Sequence, residues 1–278
     1  GLSGGTTYYY RLRAYNGSGT SASSNPITVN TVPPAPVATD ALGVGETAFQ
    51  ARWNASAGAT GYRLDISASN TFATFLPGYQ DLDVGNVTHR DVSGLSGGTN
   101  YYYRLRAVNA SGTSADSNVI TVLTLPAAPV ALAATGITAT GFLANWNAVT
   151  GALSYRLDVS TMSDFSSYVP GYQNLNVLNV TSHAVTGLSP AVVYYYRLRA
   201  VNASGPSADS NVIAALTVPP APVALAATAI TSSSFQANWQ AAPGAAGYRL
   251  DVSASNTFAT YVAGYQDLDV GAVLGRAV

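Results

Sequence analysis

Apolar and polar residues alternate along this chain in short bursts separated by turn-forming residues. In "FQARWNA", Phe49, Ala51 and Trp53 alternate with Gln50 and Arg52; after "GATG", "YRLDIS" sets Tyr62, Leu64 and Ile66 against Arg63, Asp65 and Ser67. A period of two is that of a strand with one buried face. The longest such run, "YYYRLRAVN", turns Tyr101, Tyr103, Leu105 and Ala107 to one side. The less regular "NTFATFLPGYQDLDVGN" predicts a short edge strand and a long loop, "HRDV" a brief strand, "NASGTSADSN" a turn and "VITVLT" a returning strand. Pro33, Pro34 and Pro36 in "VPPAPVA" suit an edge strand or a stiff junction, because proline cannot donate to a ladder. Seven short strands with turn-rich connections and no helical period predict an all-β sandwich.

The pattern repeats. Trp53, Trp146 and Trp239 stand 93 residues apart, and "GLSGGTTYYYRLRAYN" at position 1 returns as "GLSGGTNYYYRLRAVN" at 94 and "GLSPAVVYYYRLRAVN" at 187. The proline cluster recurs at Pro126 and Pro129 and at Pro219, Pro220 and Pro222. Phasing the unit on it gives complete modules at 33–125 and 126–218, a partial unit at 1–32 and another at 219–278. Each cluster follows directly on the last strand of the previous unit, so near-zero linkers and a stiff string are expected.

Composition narrows the function. The twelve basic residues are all Arg, Lys is absent, and the net charge is −1, which leaves no basic field for nucleic acid or anionic lipid. Apolar residues reach 47% without the uninterrupted run a membrane span needs. With no Cys there are no disulfides and no thiolate metal sites, and a core alone must hold each module of about 90 residues.

The proline-rich start, the Trp of the second strand, the "GYRLDVS"-type third strand, and Leu, Thr, Tyr, Leu, Ala and Asn spaced along "GLSGGTNYYYRLRAVN" resemble fibronectin type III domains, of the kind found in tandem on bacterial secreted and cell-surface proteins. The resemblance covers the whole chain. It implies that Leu95 and Tyr101 form a tyrosine corner, that Trp53 is the core tryptophan, and that the protein is extracellular or at the cell surface, non-catalytic and without cofactor. Val192 stands where the earlier copy has Thr99, so a slightly differently built corner is expected at Tyr194.

With family strand order A, B, C, C′, E, F, G, residues 1–32 supply only F and G, and 219–278 supply A to E. The donated face would carry Tyr8, Tyr10, Leu12, Ala14, Ile27 and Val29; the accepting face would carry Phe235, Trp239, Tyr248, Leu250, Val252, Leu274 and Val278. Five large side chains give roughly 8 to 15 kcal/mol of burial, comparable with the ~4 to 15 kcal/mol that association costs. Three arrangements follow: a head-to-tail homopolymer in which each F–G hairpin completes the next subunit; a window on a longer adhesin or on the spacer of a secreted enzyme; or closure of one chain on itself. The polymer, a structural filament or surface array, is the leading expectation. Its tail "GAVLGRAV" is more apolar than "GNVTHRDV" at 85–92, which predicts that Ala272–Val278 lies against Gly1–Tyr8 of another chain.

Catalytic constellations are missing. His89 and His183 are 94 apart in a 93-residue period and so out of register. "DLDVG" at 81–85 and 267–271 has part of a calcium-loop pattern, but the middle unit reads "NLNVL", and a turn is the simpler reading. The adhesion-like "LDV" at 82–84, 157–159 and 250–252 places Leu and Val toward the core at 157–159 and 250–252. Asn-x-Ser/Thr occurs at Asn16, Asn54, Asn86, Asn109, Asn179 and Asn202; three of these sit in the F–G turn, where Asn suits the backbone. Glycans and cell-surface components stay open as partners. Outward Tyr102, Arg104 and Arg106 beside Arg63 and Asp65 predict a cross-strand ladder of ion pairs.

Overall fold

The computed structural model describes residues 1–278 and is all-β, with every strand pair antiparallel. By internal contacts the chain divides into two compact units, Gly1–Ala128 with Val149–Ser154 and Ala200–Ala208, and Pro129–Ala148 with Tyr155–Arg199 and Asp209–Val278.

The first unit contains a complete sandwich. Ala38–Leu42, Ala48–Trp53 and His89–Ser93 form one sheet, and Leu82–Gly85, Gly61–Ser67, Asn100–Asn109 and Ile120–Leu123 form the other. Alternation decides which side chains meet: Leu64 pairs with Leu105 and Ile66 with Tyr103, and all four are fully buried. Phe49 stacks on Tyr103 at 5.9 Å and Trp53 tilts against Tyr62 at 5.7 Å, closing the space between the sheets. The first strand shifts register between Thr39 and Leu42, a bulge that recurs at Leu132/Thr135 and Leu225/Thr228.

Preceding this sandwich, Thr7–Tyr10 pairs with Ile27–Asn30 in a two-stranded hairpin, with Tyr8 opposite Val29 and Tyr10 opposite Ile27. These are the register positions of Tyr101–Val122 and Tyr103–Ile120 in the complete sandwich.

A second sandwich, most of it in the second unit, repeats the architecture. Ala131–Thr135, Gly141–Trp146 and Ser182–Thr186 make one sheet, and the facing sheet includes Ser154–Ser160, Val193–Asn202 and Ile213–Leu216. Its edge strand shortens to Leu175–Asn176, and Leu178 takes φ 61° where the other copies have Gly85 and Gly271. A left-handed leucine carries backbone strain that glycine avoids. Residues 219–278 form a three-stranded sheet, Ala224–Thr228, Gln236–Trp239 and Gly275–Ala277, and a separate pair, Tyr248–Leu250 with Leu268–Gly271.

Candidate assembly faces and module junctions

Each expected donor residue lies on an open face of the hairpin. Tyr8 is half-buried, its hydroxyl accepting from Ser3 N at 2.7 Å, while Tyr10, Leu12, Ala14, Ile27 and Val29 are exposed. Tyr10 is 53% and Leu12 68% exposed; their counterparts Tyr103 and Leu105 are both at 0%. On the accepting side Trp239 stays buried against Tyr248 at 5.6 Å. Phe235, Tyr248, Leu250, Val252 and Val278 are half-buried and Leu274 is exposed, whereas Phe49, Tyr62, Leu64, Ile66 and Val92 are core residues in the complete module.

The tyrosine corner appears in three copies. The hydroxyls of Tyr101 and Tyr194 each accept from backbone, Ser96 N and Ser189 N at 2.9 Å, as Tyr8 does from Ser3. The corner at Tyr194 is only slightly different: Val192 N still donates to Thr217 Oγ1 at 3.0 Å, as Thr99 N does to Thr124 Oγ1. Only the bond from Thr99 Oγ1 to Gly97 O has no counterpart, because the corner is built from backbone and valine supplies that equally well. Deeper in the sandwich, Tyr103 Oη donates to Thr39 O across the core, and Tyr196 Oη likewise to Leu132 O. Burial pushes both phenols above their ordinary pKa, partly offset by backbone hydrogen bonds at Arg52 and Asn145.

The outward ladder is present and centres on a buried acid. Asp65, 2% exposed, receives Arg104 Nε at 3.3 Å, Arg106 Nη2 at 3.2 Å and the Asp81 backbone N–H at 2.7 Å. Asp116 bridges both guanidinium groups, and Arg104 lies 4.3 Å above the Phe72 ring. Asp158, Arg197, Arg199, Asp209 and Phe165 repeat the arrangement. A carboxylate removed from water needs such partners. In the partial module Asp251 keeps the backbone bond from Asp267 N at 2.7 Å, but no arginine reaches it and it is exposed. The matching Arg11 and Arg13 lie exposed on the hairpin, Arg13 Nε donating to Ser23 Oγ at 2.8 Å.

Module junctions are held by asparagine, a role that the turn reading of these residues missed. Asn109 Nδ2 donates to Thr31 O at 2.9 Å, and Asn202 Nδ2 to Thr124 O at 2.8 Å. Ser204 Oγ adds a bond to Leu123 O at 2.7 Å. Beside each clamp two glycines meet: a Cβ on Gly58 would lie 2.3 Å from Gly5 O, and one on Gly151 2.3 Å from Gly98 O. Only glycine permits that approach. A glycan would attach through Nδ2, the atom that Asn109 and Asn202 already use, whereas Asn54, Asn86 and Asn179 are exposed.

The remaining candidates resolve as structure. Asp81 pairs with Arg106 at 2.9 Å and Asp83 with Arg63 at 3.3 Å, while Asp83 Oδ1 accepts from Gly85 N, so the "DLDVG" acids serve ion pairs and a turn. No three His, Cys, Asp or Glu side chains group as metal ligands. Leu157 and Val159 are buried; Leu82, Val84, Leu250 and Val252 are half-buried. His89 is exposed and His183 half-buried.

Repeated two-sheet sandwiches with a tyrosine corner, a core tryptophan and close-set junctions define a tandem array of β-sandwich modules. The chain belongs to the fibronectin type III domain family, whose model matches residues 34–123 and 127–215. Among curated relatives it is similar to Exoglucanase B of Cellulomonas fimi, 27% identical over 98% of this chain and 25% of the enzyme. It is also similar to Chitinase A1 of Niallia circulans, 30% identical over 67% of this chain and 26% of the enzyme. The chain thus spans about a quarter of each of these relatives. A two-domain fibronectin type III segment of chicken tenascin is 20% identical, covering 66% of this chain and 99% of that one at a TM-score of 0.40.

Proposed function

We propose that these modules form a non-catalytic, extracellular spacer of a secreted bacterial protein, holding parts it joins at set separations. The observation that carries this is the repeated clamp of Asn109 on Thr31 O and Asn202 on Thr124 O, which removes freedom from junctions that are already short. Two relatives bear the names of a glucan-degrading and a chitin-degrading enzyme, and polymers too large to enter a cell are degraded outside it. In both, a stretch of about a quarter of the protein is what resembles this chain. Spin labels on cysteines placed at Asn70 and Ser163 test the reading, since the chain has no native cysteine to compete. A narrow distance distribution that broadens in Asn202→Ala supports it; a broad distribution in the parent overturns it.

A second reading is self-association by strand donation between residues 1–32 and 219–278 of different copies. Their apolar residues occupy the same positions that meet inside the complete modules, and Asp251 lacks the arginines that Arg11 and Arg13 would bring. Sedimentation over a concentration series tests it. Growth in mass with concentration supports it, and a monomer throughout overturns it.

A further inference from the structure

Each complete sandwich has two sides where its sheets end on strand edges, and on both sides a side chain from the other sheet reaches across. His89–Ser93 and Ser182–Thr186 are edge strands, paired only with Ala48–Trp53 and Gly141–Trp146. Trp53 N donates to Thr88 O at 3.1 Å, and Trp146 N to Thr181 O at 3.0 Å. Backbone groups alternate sides along a strand, so His89, Asp91 and Ser93, and likewise Ser182, Ala184 and Thr186, turn theirs to the open side. Such a row is a template for another strand. The last amide of each row is already taken: Ser93 N donates to Tyr79 Oη at 3.1 Å, and Thr186 N to Tyr172 Oη at 2.8 Å.

These tyrosines belong to the irregular stretches 68–81 and 161–174, and backbone bonds hold them in place. Ile66 N donates to Tyr79 O at 2.9 Å, Leu76 N to Ile66 O at 2.8 Å and Tyr79 N to Leu76 O at 2.9 Å; Val159, Val169 and Tyr172 repeat the three bonds at 2.9, 2.8 and 2.9 Å. Each stretch is therefore a strap, fixed to the third strand in one sheet and touching the edge strand of the other. On the opposite side asparagine closes the edge of the first strand. Ala38 N donates to Asn118 Oδ1 at 2.9 Å while Asn118 Nδ2 donates to Ala38 O at 3.0 Å, and Asn211 does the same with Ala131 at 2.8 and 2.9 Å.

The two tyrosine contacts differ as their edges differ. His89, Arg90 and Asp91 are exposed along the first edge, and charged side chains there deter pairing on their own. The second edge, Ser182, His183, Ala184, Val185 and Thr186, carries neither arginine nor acid. There the hydroxyl makes a second contact, donating to Thr186 O at 3.4 Å, so both outward backbone groups of Thr186 are occupied.

We propose that Tyr79 and Tyr172 are edge locks, shutting a strand-docking site that would otherwise take an extended strand of a second copy of this chain. A tandem protein presents the same edge once per module, which multiplies the chances of mispairing. The lock matters most at Tyr172, where no charge assists it. It acts inside the complete modules and is independent of strand donation by residues 1–32.

Sedimentation velocity and hydrogen exchange on the full chain test this with Tyr79→Phe, Tyr172→Phe, and Tyr172→Phe combined with Ala184→Asp. Phenylalanine keeps the ring and removes only the hydroxyl; Ala184→Asp gives the second edge the acid that Asp91 supplies to the first. In Tyr172→Phe the Thr186 amide should exchange faster and self-association should tighten roughly tenfold over the parent. Tyr79→Phe should tighten it less, and Ala184→Asp should return the double variant to the parent value. Strand donation is common to all these proteins and cancels in the comparison. Tyr172→Phe sedimenting like the parent at every concentration overturns the lock. Association that survives Ala184→Asp places the docking elsewhere and overturns the assignment of this edge.

Discussion

Residues 33–125 and 219–278 begin with nearly the same strands and end in different states. In the complete module Phe72 is 7% exposed beneath Arg104, while its counterpart Phe258 is 46% exposed with no guanidinium above it. Gly61–Ser67 runs seven residues as a strand where the partial module holds only Tyr248–Leu250, three residues. The sequence of that strand is almost unchanged, so what shortens it is the missing neighbour: without Asn100–Asn109 alongside, half of its backbone groups have no ladder to join. Strand length in this fold is therefore set by the F strand as much as by local propensity.

Removing the F strand's buried anchor should reproduce the partial state inside a complete module. Tyr103→Ala is expected to destabilise residues 33–125 by ~3 to 5 kcal/mol, whereas Tyr10→Ala, on the exposed hairpin, should leave the melting of a dilute monomer unchanged. Differential scanning calorimetry of both variants checks the contrast; equal losses would mean that the hairpin is already packed.

The buried acid gives a smaller difference. Asp65→Asn keeps the shape but strips the charge that Arg104 and Arg106 satisfy, and a loss of ~1.5 to 3 kcal/mol is expected by urea unfolding. Asp251→Asn, with no arginine to lose, should cost far less in the same experiment. The two substitutions together test whether the arginines, rather than the backbone bonds from Asp81 and Asp267, hold the acid.

Alkaline pH sharpens the comparison further. Tyr103 and Tyr196 titrate above the ordinary phenol value of 10.0 because burial disfavours the phenolate. Their neutral forms are therefore favoured by folding. That contribution is complete below the ordinary value and falls away as pH rises through it toward the raised one. Chemical denaturation of the chain should show stability declining above about pH 10, with a shallower decline in Tyr103→Phe. An identical slope in that variant would assign the loss to other groups.

Much of this was legible beforehand. Alternation alone sorted Tyr101, Tyr103, Leu105 and Ala107 inward, and the positions of Arg104 and Asp65 on facing strands foretold the ladder. The roles of Asn109 and Asn118 were not legible, since asparagine in a Ser- and Gly-rich turn satisfies local backbone needs and gives no sign of a partner 78 or 80 residues away. Nor could the Gly58–Gly5 approach be read, because turn glycines look alike whether they face solvent or another backbone. The corner at Tyr194 survived its substitution for the reason that sequence hides best: the contact is made by backbone.

Whether residues 1–32 and 219–278 are halves of one sandwich is tested most directly by hydrogen exchange across a dilution series. In dilute solution the amides of Gln236–Trp239 and Tyr248–Leu250 should exchange much faster than those of Ala48–Trp53 and Gly61–Ser67, and they should become protected as concentration rises, together with Thr7–Tyr10. Protection at 236–250 that equals the complete module at every dilution, or never changes with concentration, would contradict the complementarity of the two faces.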